Sequence, residues 1–112
     1  MKKDNTVLIN HILDSILQIE KYVNGITEVE FLDNTLVQDA VLRRLEIIGE
    51  AANKISDDFK NDNSTIEWKE AVTFRNILIH QYFEVDLKII WDTVINDIPK
   101  LKVALLNIKS KF

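Results

Sequence analysis

The residues best suited to chemistry in this chain stand close together, in the run Phe74-Arg75-Asn76-Ile77-Leu78-Ile79-His80-Gln81-Tyr82. Histidine titrates near neutral pH, so His80 is able to give or take a proton. Asn76 precedes it by four residues, the separation that stacks two side chains on one helix face. Lys69 and Thr73 extend that polar strip toward the N-terminus. Arg75 falls about 100° from Asn76 around a helix, in a sector it shares with the apolar Ala71 and Ile79. An arginine there is costly to bury unless something pairs with it. By themselves these residues admit two readings. One is a proton-transfer site. In the other, His80 caps the helix C-terminus, where a cation is favoured, Arg75 pairs with Glu46 or Glu50, and Tyr82 packs against the last helix.

The elements that must position this run read as helices almost throughout. A first helix spans about Asn5 to Asn24, with a stripe of Val7, Leu8, Ile12, Ile16, Ile19 and Val23 and Asp4 or Asn5 as N-cap. Gly25 sits where a helix C-terminus needs positive φ, and Thr27 with Glu30 fits a capping box for a short segment through Leu32. A second long helix, Thr35 to Ile55, is capped by Asn34 and carries Leu36, Val37, Ala40, Val41, Leu45, Ile48, Ala52 and Ile55 as apolar positions. Ser56 to Lys60 adds a single turn, and Lys60 to Ser64 reads as a loop. Ser64 and Glu67 form a further capping box, opening a helix from about Thr65 to His80. Asp86 caps a last helix to about Lys109, which Pro99 must kink or restart. The expected architecture is one all-α domain over residues 1–112, a bundle of four main helices and a short extra one, packed up and down.

Composition agrees. The 112 residues include only two glycines and one proline, too few for an all-β fold or a glycine-cradled phosphate site. Cysteine is absent, which removes thiol nucleophiles, disulfides and Cys-type zinc sites and suits a reducing cytoplasm. The longest stretch without a formal charge, Asn5 to Leu13, is far short of the roughly 20 apolar residues of a membrane span. A soluble, cytoplasmic protein is expected. The net charge of −4 is uneven: Lys100, Lys102, Lys109 and Lys111 give the last stretch +4, leaving −8 on the rest. A generic nucleic-acid binder carries a broad basic face, so any such contact here is local. The lysines read as a solvated helix end that complements the helix dipole.

Other candidates carry less. His11 reads as a packed or surface histidine, and Trp68 and Trp91 as core anchors. Glu46 and Glu50 are one turn apart but lack the Glu-x-x-His partner of a di-metal site. Arg43 and Arg44 read as solvated helix positions, or else as residues flanking the site.

The run from Phe74 to Asp86, followed by Ile90-Trp91, resembles the HepT-like branch of the HEPN superfamily, as does Arg44-Leu45-Glu46-Ile47-Ile48-Gly49-Glu50-Ala51-Ala52 on the second long helix. In that branch an arginine, usually followed by asparagine, precedes a histidine by five residues, with a tyrosine two further on; here these are Arg75, Asn76, His80 and Tyr82. The resemblance covers about residues 5–108. It implies a metal-independent endoribonuclease that needs no cofactor and acts as the toxin of a toxin–antitoxin module. It further implies a two-fold homodimer in which Arg75 and His80 of both copies meet at one cleft. The partner would be an antitoxin of the minimal, MntA-like nucleotidyltransferase type, which silences the toxin by adding AMP to Tyr82.

The residues suit that chemistry. RNA can be cleaved without metal by its own 2′-hydroxyl, given a proton acceptor, a proton donor and positive charge at the phosphorus. Two copies of His80 supply the first two, Arg75 offers a planar fork for phosphate oxygens, and Asn76 orients the imidazole or the substrate. In a dimer, the apolar sector around Arg75 becomes the subunit interface. A second reading is a HEPN domain without nuclease activity, serving as a binding partner or nucleotide-binding subunit of a nucleotidyltransferase.

Overall fold

The computed structural model describes the backbone of residues 2–80 and 86–111, and the side chains of residues 5–74 and 86–111. Every regular element among the described residues is helical: α1 (Lys2–Val23), α2 (Glu28–Leu32), α3 (Thr35–Lys54), α4 (Asp57–Asp62), α5 (Trp68–His80), α6 (Leu87–Asp92), a π-helical turn (Thr93–Asp97) and α7 (Ile98–Lys109). Among the described residues, no helix is long and apolar enough to cross a membrane.

Helix α3 is the centre of the bundle, packing along both α1 and α5, while α7 lies against α1. The core-facing stripe of α1 is Ile9, Ile12, Leu13, Ile16 and Ile19, the i, i+3, i+4 spacing of one helix face. Val7, expected on that stripe, is 46% exposed. On α3 the buried positions are Gln38, Val41, Leu45, Ile48, Gly49, Ala51 and Ala52, and Leu36 of its first turn faces solvent. Phe31 of α2 is fully buried and meets the ring of Trp91 at 5.2 Å between centroids. Gln38 donates to the carbonyls of Phe31 and Leu32 at 2.9 and 3.1 Å, so the short α2 has its last carbonyls satisfied from α3.

Most of the punctuation follows the sequence. Gly25 has φ +76°. Thr27 and Glu30 form both halves of a capping box, Asn34 accepts from Val37 N–H, and Asp86 accepts from the N–H groups of Lys88 and Ile89.

Two expectations are corrected. Asn5 does not cap α1, which starts earlier. Its side chain is buried and joined to Ser56, donating to Oγ at 3.2 Å and accepting from Ser56 N–H at 3.3 Å. The expected loop at Lys60 to Ser64 begins later, because Ser56 caps α4 through Phe59 N–H and the helix runs to Asp62. Pro99 restarts the last helix, one of the two outcomes expected of it: the chain widens into a π turn ahead of Pro99, with Ile98 N–H bonded to Thr93 C=O. Pro99 then falls in the first turn of α7, where its missing N–H costs nothing. The wider turn keeps Val94 and Ile98 both in the core.

Candidate active site

Helix α5 starts later than the sequence suggests. The capping box of Ser64 and Glu67 is replaced by a tight turn, in which Ile66 N–H bonds Asn63 C=O at 3.2 Å and Trp68 N–H bonds Ile66 C=O at 2.9 Å. Both side chains of this turn are buried. The Trp68 indole N–H also reaches Asn63 C=O at 3.1 Å, and its ring stands edge-on to Phe59. Burying a large indole with its N–H satisfied outweighs one surface cap.

From Trp68 the helix continues without a break to His80. Trp68, Ala71 and Phe74 are buried, whereas Lys69, Glu70 and Thr73 are exposed. Helical register places positions 76 and 80 in line with the exposed Lys69 and Thr73, as expected. Position 75 follows Trp68 and Ala71, the side of α5 that packs into the core. Positions 75 and 80 of one chain therefore lie about 140° apart around the axis and about 7.5 Å apart along it. The side chains of Arg75, Asn76 and His80, and Tyr82 altogether, lie outside the described residues.

The structure corrects one argument about this helix. The sector containing Ala71 is not an open outer face: Ala71 is buried in the core of its own chain, because α5 packs onto α3. A dimer therefore needs another basis than that sector. Of the carboxylates considered for Arg75, Glu46 is engaged by Arg43 in an ion pair and Glu50 is exposed. Arg44 is half-buried, lining a groove with Asp14, Leu17 and Lys21 of α1. His11 is a surface residue. Among the described residues, no group of His, Asp and Glu is arranged to hold a metal ion.

A feature that sequence reasoning missed lies at the N-terminal end of α5. Ile66, Ala71, Phe74, Leu101 and Ala104 line a cavity of about 200 Å³, with Glu67, Glu70, Asp97 and Lys100 also lining it. Glu70 and Asp97 are hydrogen-bonded, although they stand on α5 and the π turn, so no local spacing joins them. Partial burial at this lip, the bond to Asp97 and the repulsion of Asp97 and Glu67 raise the pKa of Glu70, with Lys100 opposing.

With this geometry in view, comparison with known proteins is informative. Residues 12–108 match the family model described as "Ribonuclease HepT-like". A relative in Methanocaldococcus jannaschii, named "Gamma-glutamylcyclotransferase and putative RNase MJ0434", is 47% identical over 96% of this chain, which spans only 49% of that relative. "Putative RNase MJ1380" of the same organism is 41% identical over 90% of the chain and 93% of its own length. "Probable ribonuclease HepT" of Thermococcus cleftensis is 42% identical, with 91% and 93% covered. No solved structure gives a significant match. The chain belongs to the ribonuclease HepT-like family.

Proposed function

We propose that this protein is a metal-independent endoribonuclease, the toxin of a toxin–antitoxin module. The observation that carries the reading is the family match over residues 12–108, which includes Arg75, Asn76, His80 and Tyr82 at the motif spacing. The continuous α5, with positions 76 and 80 in line with solvent-facing residues, supports it.

In the proposed reaction the RNA 2′-oxygen attacks the adjacent phosphorus, the bond to the 5′-oxygen breaks, and a 2′,3′-cyclic phosphate remains. One His80 accepts the 2′-hydroxyl proton and a second donates a proton to the departing 5′-oxygen. Arg75 binds the phosphate oxygens as charge builds on them, and Asn76 orients the imidazole or the substrate. Positions 75 and 80 of one chain diverge around the helix, so a single copy is poorly placed to bring both to one phosphate. A two-fold dimer that pairs Arg75 and His80 across its axis resolves this. Adding AMP to Tyr82, two residues from His80, sets a bulky anion beside Arg75. That anion competes for the site the substrate phosphate would use. A nucleotidyltransferase antitoxin would act in this way.

The test is incubation of the purified chain with RNA in excess chelator. Cleavage leaving cyclic phosphate ends is expected, lost in His80→Ala and Arg75→Ala with the circular dichroism unchanged. Cleavage that requires a divalent metal refutes the mechanism. No cleavage by the folded wild type leaves the binding-partner reading in its place.

A further inference from the structure

We infer that the cavity between α5 and α7 binds a small organic ammonium ion with an apolar body of about eight carbon atoms. The site uses none of the proposed nuclease residues, so it stands or falls independently of the ribonuclease reading. Its origin lies in the packing. Among the described residues, α5 packs chiefly along α3, and α7 chiefly along α1 and the π turn, so neither helix fills the seam between them. Ala71 and Ala104 line that seam from α5 and α7, and their methyl groups are too short to close it. What remains is an apolar cavity of about 200 Å³, walled further by Ile66, Phe74 and Leu101, of which Ile66 and Phe74 are buried. A cavity of about 150 Å³ lined by such side chains takes up benzene, so this one has room for a phenyl ring and a two-carbon arm.

The polar edge decides the charge of the occupant. Glu67, Glu70 and Asp97 line the cavity with Lys100 as the one cation beside them. Glu70 and Asp97, from α5 and the π turn, are hydrogen-bonded, which two ionised carboxylates cannot be without a proton between them. Partial burial, that bond and the repulsion of Asp97 and Glu67 make Glu70 hold its proton more tightly than an ordinary glutamate. An ammonium group brings three N–H donors and a positive charge. Seated at this edge it can donate to both carboxylates in place of the proton and offset the repulsion among the three acids, while its apolar body fills the seam. A neutral ligand of the same shape gains only the apolar contact, and a carboxylate is repelled. An apolar interior with a few convergent charged groups is the usual build of a small-molecule site.

The experiment titrates the purified chain near neutral pH with phenethylammonium, phenethyl alcohol and phenylpropionate, followed by calorimetry and by amide NMR shifts. Phenethylammonium should bind at one saturable site and shift the amides of Ala71, Leu101 and Ala104. The alcohol should bind about tenfold more weakly, and the carboxylate should not bind. Glu70→Gln with Asp97→Asn should lower affinity for the ammonium to that for the alcohol and leave the alcohol unaffected. Ala104→Leu, at a half-buried position, should fill the seam and remove binding of both; if that variant does not fold, the double variant decides. An ammonium that does not saturate at millimolar concentration overturns the site, as do equal affinities for the three ligands. So does ammonium binding that survives undiminished in the double variant or in a folded Ala104→Leu chain.

Discussion

Replacing Asn5 by alanine is expected to loosen the junction between α1 and α4 by a definable amount. Asn5 is 8% exposed and forms two hydrogen bonds with Ser56, whose Oγ in turn accepts from Phe59 N–H at 3.3 Å. Each such bond contributes about 1 kcal/mol net. Losing both, with the Ser56 N–H left unpaired in a part-buried place, should cost about 2 kcal/mol. For a domain of this size that lowers Tm by about 8 °C. Ser56→Ala removes only the Oγ bond, because the bond to Asn5 Oδ1 comes from the backbone N–H, so it should cost about 1 kcal/mol plus about 1 kcal/mol for the lost cap on α4. Because the two side chains share the Nδ2–Oγ bond, the double variant should be more stable than additivity predicts, with a coupling of about 1 kcal/mol. Urea and thermal unfolding of the four proteins measure this. A coupling within about 0.3 kcal/mol of zero would show that the junction is not held by this pair.

Phe31→Ala removes a fully buried ring packed at a tilt against Trp91 and should cost about 3–5 kcal/mol in urea unfolding. Gly25→Ala meets no neighbour within 4 Å but must adopt φ +76°, so it should cost about 1 kcal/mol from the backbone alone. The raised pKa of Glu70 means that the folded state binds the proton more tightly than the unfolded state. Its contribution to stability is therefore present below the ordinary value of 4.5 and is lost as pH rises through the folded pKa. Glu70→Gln should flatten that decline in a Tm series from acid to neutral pH. An unchanged profile would show that the carboxyl pair does not respond to folding.

Much of the fold was legible in the chain because helix ends are local events. Thr27 with Glu30, Asn34, Asp86 and Gly25 each act within a few residues, and apolar spacing separates buried from exposed faces over whole helices. The family motif was legible for the same reason, as a fixed spacing of Arg75, Asn76, His80 and Tyr82. What the tertiary structure alone decided were contests between a local rule and a distant partner. Asn5 had the credentials of an N-cap, yet Ser56, fifty-one residues away, draws it into the interior. Ser64 and Glu67 could have formed a cap, but burial of Ile66 and Trp68 imposed a turn instead. The sector of Ala71 looked like an interface until α3 was found to cover it. Glu70 and Asp97 meet only because α5 and the π turn pack together. In each case the deciding free energy comes from burying surface between elements far apart in sequence, which no window along the chain contains.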